Sequence, residues 1–105
     1  MKELSQEEWS KQLQDDNNAV ILDVRTEEEV EEGYIPGAKI IDIYKGQEFV
    51  DEVEKLDKNK NYYVYCRSGK RSAQACNILD QLGHANSYNL EGGFMNWKGD
   101  VEDNT

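Results

Sequence analysis

Cys66-Arg67-Ser68-Gly69-Lys70-Arg71-Ser72 is the segment of this 105-residue sequence that carries the residue types for nucleophilic chemistry. A cysteine reacts as its thiolate, so a reactive one needs surroundings that favour the anion. Arg67, Lys70 and Arg71 bring positive charge, and no acidic residue interrupts them. Gly69 and the small Ser68 let the backbone curl so that successive N–H groups can face one anion. A helix starting at the end of the segment adds unpaired N–H groups and the positive end of its dipole. No histidine lies in or near the segment, so activation by a paired imidazole, as in cysteine proteases, is not available. The chemistry implied is that of an electrostatically activated thiolate. An isolated cysteine at a strand end reads more simply as a small buried hydrophobe. The basic, glycine-containing loop behind Cys66 argues against that reading here.

The other candidate side chains have plainer expectations. Cys76 falls inside a helical pattern close to its apolar face and is expected in the core. His84, the only histidine, follows a helix-ending glycine and is expected at the surface or as a cap. Two cysteines without a C-x-x-C pair, and one histidine, cannot build a Cys/His metal cluster, so neither metal nor cofactor is expected. Free thiols suit a reducing compartment. The first residues, Met-Lys-Glu-Leu-Ser-Gln-Glu-Glu-Trp, lack the apolar region of a secretory leader, and no stretch approaches the length of a membrane span. A cytoplasmic location follows as the expectation. The formal net charge of −10 disfavours nucleic acid and anionic membrane surfaces as partners.

The elements that must position the loop can be read from the flanking patterns. Ser5 to Glu8 and Thr26 to Glu29 each form a capping box, predicting a helix over 6–14 and a short one stopping near Gly33. Leu4 and Trp9 stand where a hydrophobic staple would form across the first of these. Ala19–Leu22, Lys39–Ile43, Tyr62–Tyr65 and Ser87–Leu90 read as short strands, the first from its continuous apolar, β-branched run. Phe49, Val53 and Leu56 recur at helical spacing, as do Ala75, Ile78, Leu79 and Leu82, predicting helices over 47–56 and 71–82. Pro36-Gly37 and Gly92-Gly93 mark turns, Phe94–Trp97 a last helical turn, and the residues from about 99 to 105 a solvated tail. Strands alternating with helices imply one α/β domain over 1–105, its sheet parallel and covered on both faces. Such sheets bind ligands beyond the carboxyl ends of their strands, and Cys66 directly follows one.

Three segments together resemble a known family. Ile21-Leu22-Asp23-Val24-Arg25-Thr26 with Glu28-Glu29 and Gly33-Tyr34-Ile35-Pro36-Gly37-Ala38 is similar to the first signature of rhodanese-like domains. Val64 to Ser72 resembles their active-site loop, and Leu90-Glu91-Gly92-Gly93 with Trp97 their C-terminal signature. Tyr34 stands where many members have histidine. The resemblance spans Ala19 to Trp97 in the right order. It implies a three-layer α/β sandwich around a five-stranded, mostly parallel sheet. It also implies a sulfurtransferase in which Cys66 accepts a sulfane sulfur from thiosulfate or a persulfide donor. That sulfur passes on to cyanide in an assay, or to a cellular thiol. The backbone of Arg67, Ser68, Gly69, Lys70 and Arg71 would hold the charged sulfur, with Asp23, Arg25 and Ser72 in support. Asp23 and Arg25 read first as an ion pair or as loop hydrogen bonds. Small donors and acceptors are the expected partners, with thioredoxin-like or desulfurase proteins as macromolecular candidates and a monomer as the default state.

Two rival functions are weighed against this one. Cysteine phosphatases and arsenate reductases of related fold use Cys-x5-Arg, which would require arginine at position 72, where this chain has Ser72. Arg71 gives a loop one residue shorter, suited to a single sulfur atom. A non-enzymatic binding module is the second rival, since fold alone never guarantees activity. Retention of Cys66 with its glycine and basic neighbours speaks against it.

Overall fold

The computed structural model describes residues 1–103. Its elements are β1 (Lys2–Leu4), α1 (Gln6–Gln14), β2 (Ala19–Asp23), α2 (Glu27–Glu31), β3 (Lys39–Ile40), a 3₁₀ turn (Ile43–Lys45), α3 (Gln47–Glu54), β4 (Asn61–Tyr65), α4 (Lys70–Gln81), β5 (Asn86–Leu90) and a second 3₁₀ turn (Phe94–Asn96). Both capping boxes form: Ser5 and Thr26 accept from the N3 amides of α1 and α2, and Glu8 and Glu29 reach back to the cap amides.

The sheet has five strands in the order β1-β5-β4-β2-β3, and every pairing is parallel. One strand has no counterpart among those predicted. Lys2–Leu4 pairs with Tyr88–Leu90 at the sheet edge. Three residues, two of them charged, carry no readable period, and only a preformed neighbour makes them a strand. The strand predicted over 39–43 is shorter than expected, because Asp42 caps the 3₁₀ turn that begins at Ile43.

Alternation along β4 divides the interior. Tyr62, Val64 and Cys66 join Leu22, Val24, Phe49, Val53, Ala75, Cys76 and Leu79 in one cluster, under α3 and α4. Tyr63 and Tyr65 join Trp9, Ile35 and Leu90 in the other, under α1. Trp9 is completely buried and meets Tyr63, Tyr65 and Trp97 edge-on, while its indole N–H donates to the Tyr88 carbonyl at 3.2 Å. Burial of side chains this large contributes about 1.5–3 kcal/mol each. No helix among the described residues is long and apolar enough to cross a membrane.

Two expectations need correction. His84 is buried rather than superficial. Its Nδ1 lies 3.1 Å from the Leu79 carbonyl in the last turn of α4, and its Nε2 2.9 Å from the Val53 carbonyl in α3. It therefore does cap a helix end, and it also ties two helices together. The tail is exposed but anchored: Tyr34 and Glu102 exchange backbone hydrogen bonds of 2.8 and 2.9 Å as an isolated antiparallel bridge. The Tyr34 hydroxyl also donates to the Glu102 carboxylate at 3.1 Å. Asn104 and Thr105, the end of that predicted tail, lie outside the described residues.

Candidate active site

In this strand order the chain steps outward from β2 to β3, returns across β2 to β4, and continues the other way to β5. The connections leaving β2 and β4 therefore diverge and open a crevice at the carboxyl ends of these two strands, the place where open α/β sheets bind ligands. Asp23-Val24-Arg25 leaves one of them and Cys66 the other. The Val24 N–H donates to the Tyr65 carbonyl at 3.1 Å, holding the two strand ends together.

Cys66 is wholly buried at the bottom of its loop. Gly69 adopts a left-handed φ of 104°, and its N–H donates to the Cys66 sulfur at 3.1 Å. The Ser72 hydroxyl donates to the same atom at 3.4 Å. Burial works against a thiolate here. The Ser72 hydroxyl and the amides of Ser72, Gly69 and Ser68 outweigh it, so the thiol is held below its ordinary value. Cys76 shows the contrast. It is equally buried, and desolvation pushes its thiol up to about 12. Hydrogen bonding lowers the one thiol and burial raises the other, and Cys76 is core, as its sequence context indicates.

The three cations of the loop are not equivalent. Arg67 and Lys70 are exposed and form no ion pair among the described residues. The side chain of Arg71, whose backbone is expected to help hold the charged sulfur, turns toward α2. Its Nη1 and Nη2 donate to the Glu29 carboxylate at 2.7 and 2.8 Å, and its guanidinium lies 5.2 Å from the Tyr44 ring centre. Glu29 thus serves both its own helix cap and the start of α4. The Arg71 hydrogen bonds, helped by those from Thr26, hold its carboxyl down to about 2 against an ordinary value of 4.5. A carboxyl depressed in the folded state stabilises fully above its unfolded pKa and loses that contribution as pH falls through its folded one. The protein therefore loses stability between about pH 5 and 2. Glu29→Gln, which keeps the cap geometry, is expected to be less stable at pH 7 and to show a flatter decline in acid. Urea midpoints at pH 7, 4 and 3 check this; parallel declines would refute it.

The supporting residues form a buried brace. Asp23 and Arg25 are 0% and 3% exposed. The Asp23 carboxylate accepts the Arg25 backbone N–H at 3.0 Å, its Nε at 3.0 and 3.1 Å and its Nη2 at 2.7 Å. Nη2 also donates to the Gly33 carbonyl at 2.7 Å, and the guanidinium lies 4.3 Å from the Phe94 ring centre. The ion-pair reading of these two residues is what the structure shows. Beside the loop is a cavity of about 430 Å³ lined by Arg25, Glu29, Glu32, Arg67, Phe94 and Met95.

The sequence signature of the rhodanese-like domain matches residues 6–100. The chain belongs to the rhodanese-like family. A crystal structure of a rhodanese-like domain protein from Staphylococcus aureus superposes with a TM-score of 0.84 at 34% identity, over 100% of both chains. YtwF of Bacillus subtilis, provisionally named a sulfurtransferase, is 39% identical over 97% of this chain and 95% of its own. The thiosulfate sulfurtransferase GlpE of Coxiella burnetii is 39% identical over 75% of this chain and 71% of its own.

Within this rhodanese-like domain, Gly92-Gly93 does more than turn the chain. Gly93 has a φ of 63°, and a Cβ on it would lie 2.8 Å from the Cys66 carbonyl oxygen and closer still to that of Arg67. Those same carbonyls accept the N–H groups of Phe94 and Met95 at 2.8 and 3.0 Å. The C-terminal signature is thereby seated directly on the backbone of Cys66 and Arg67, which only a glycine permits. Reading the glycine pair as a turn missed this contact. Two further participants were also missed: Tyr44, beside Arg71, and Asn89, whose amide reaches the Gly69 carbonyl. Nothing in the local sequence around either one marks it.

Proposed function

We propose that this protein transfers a sulfane sulfur from thiosulfate or a persulfide donor to a thiophilic acceptor through a persulfide on Cys66. The observation that carries the reading is the Cys66 sulfur itself, buried and facing the Gly69 amide and the Ser72 hydroxyl, with its thiol held below the ordinary value. The Cys66 thiolate attacks the outer sulfur of thiosulfate; the new S–S bond forms as the old one breaks, and sulfite leaves with the electron pair. Cyanide or a thiolate then attacks the outer sulfur of the persulfide. Thiocyanate or a new persulfide departs and the Cys66 thiolate returns. Storage on one residue makes the kinetics ping-pong.

The donors facing the sulfur suit a compact negative charge, whether thiolate or persulfide. Arg67 and Lys70 add positive potential at the mouth of an otherwise acidic protein, favouring an anionic donor. The engagement of Arg71 with Glu29 leaves that guanidinium occupied outside the loop, which weighs against gripping a tetrahedral oxyanion as phosphatases do. Small sulfur compounds are the proposed partners, with a thioredoxin-like protein or a desulfurase as candidate macromolecular ones and the cytoplasm as the proposed location.

Intact mass after incubation with thiosulfate tests the reading. A gain of about 32 Da, removed by cyanide with release of thiocyanate, is the expected result. No gain from thiosulfate, while a small-molecule persulfide does produce one, would confine the protein to persulfide donors. No gain from either would overturn the proposal.

A further inference from the structure

Asn89 is a buried polar residue on β5 whose hydrogen bonding is incomplete. Its neighbours Tyr88 and Leu90 belong to the α1 side of the sheet, whereas Asn89 reaches the loop before α4. It is 1% exposed. Its Nδ2 donates to the Gly69 carbonyl at 3.0 Å and also to the Glu3 carboxylate from β1. Both partners are acceptors, which fixes the amide orientation by chemistry. Its Oδ1 is buried and has no hydrogen-bond partner among the described residues. An unpaired buried polar atom costs about 1–3 kcal/mol. That cost offsets much of what the two amide hydrogen bonds contribute, so an apolar side chain of similar size would serve the fold about as well.

The tethered carbonyl belongs to a residue that itself bonds the sulfur. Gly69 donates its own N–H to Cys66, and its carbonyl also accepts the first amide bond of α4, from Ala73 at 3.2 Å. Its left-handed φ would cost any other residue energy. A Cβ there would also meet the Leu90 carbonyl oxygen at 3.4 Å. A glycine this free to rotate needs an external restraint to hold one conformation. Because a peptide is planar and trans, fixing the Gly69 carbonyl also fixes the Lys70 N–H on the opposite side of the same unit.

We propose that Asn89 is a positioning residue for the sulfur site: its amide restrains the Gly69 carbonyl and thereby limits rotation about the Gly69 φ and ψ bonds, so that the Gly69 N–H stays aimed at Cys66. The inference rests on Cys66 being the reactive thiol, and it is independent of which sulfur donor the protein uses. Glu3 from β1, Arg67 from the loop and Lys70 and Arg71 from α4 are the charged groups around this cluster, and all remain in the variants below.

The test is the pH dependence of Cys66 alkylation by iodoacetamide, with the adduct located by peptide mass so that Cys76 does not contribute. No sulfur donor is involved, so the result stands apart from the thiosulfate reading. Asn89→Leu and the smaller Asn89→Ala are each compared with the parent, alongside thermal unfolding. Both variants are expected to move the alkylation midpoint up by about half a unit to one unit, a loss of about three- to tenfold in rate below the midpoint. The unfolding midpoint of Asn89→Leu is expected to be unchanged or higher. An unmoved alkylation midpoint in either folded variant would overturn the positioning role while leaving the thiolate chemistry intact. Failure of Cys66 to react in the parent would overturn both.

Discussion

Cys66→Ser is expected to lower the proposed sulfur transfer at least ~10³-fold while the fold survives. A serine hydroxyl does not ionise near neutral pH, and the donors that favour a thiolate cannot lower its pKa far enough to replace it. The loss falls on the transfer step rather than on binding, since Arg67 and Lys70 are untouched at the surface. Stability should change little. The serine oxygen fits the space of the sulfur and can still accept from the Gly69 amide and the Ser72 hydroxyl, so no buried donor is orphaned. Cys76 provides an internal control, because burial pushes its thiol up to about 12 and it has no persulfide to offer near neutral pH. Thiocyanate release and the mass gain are measured together on parent and variant. Transfer that persists in Cys66→Ser, with the extra mass on Cys76, would sink the assignment.

Asp23→Ala is the substitution expected to damage the fold most. It leaves the Arg25 guanidinium, 3% exposed, beneath Phe94 with the Gly33 carbonyl as its one remaining hydrogen-bond acceptor among the described residues. It also leaves the Arg25 backbone N–H without its acceptor. Breaking a buried pair from one side costs about 3–5 kcal/mol, against a total of about 5–15 kcal/mol for a domain of this size. The pair itself is not a large asset, because desolvation offsets most of its attraction. Replacing both members by apolar residues, as in Asp23→Leu with Arg25→Met, should therefore recover much of the loss. Denaturant midpoints of the single and double variants check this. A single variant within about 0.5 kcal/mol of the parent, or a double variant no better than the single, would refute the account. The loss also reaches the site: Phe94, which the Arg25 guanidinium faces, hydrogen-bonds to the Cys66 carbonyl.

How far the site could be read in advance depended on the separation of its parts. Cys66, Gly69 and Ser72 lie within one short segment, and the hydrogen bonds among them are consequences of a single curled loop. Their types and order were enough to indicate an activated thiol. Arg71 and Glu29 are 42 positions apart, and both look solvent-exposed until the starts of α2 and α4 are brought side by side. Asn89 and Gly69, 20 positions apart, meet only because β5 lies next to β4 in the sheet. The same distinction explains His84. Following a helix-ending glycine, it resembles a surface residue, and it becomes a buried tie only once α3 supplies the Val53 carbonyl.

The sequence by itself determined the α/β alternation, both capping boxes, the strands with strong apolar or aromatic character and the cysteine proposed to carry the chemistry. All of these rest on neighbours in the chain, through capping hydrogen bonds and through periods of two and 3.6 residues that repeat within a few turns. Only the tertiary structure decided that Lys2–Leu4 is a strand, that the tail is anchored to Tyr34, that Arg71 turns to Glu29, and that Gly93 lies against the backbone of Cys66 and Arg67. A three-residue edge strand has too few side chains to show a period. Polar residues and glycines show their partners only when distant segments close on them. Local pattern records which faces are apolar, whereas the identity of the group opposite a buried polar atom is a property of the packed whole.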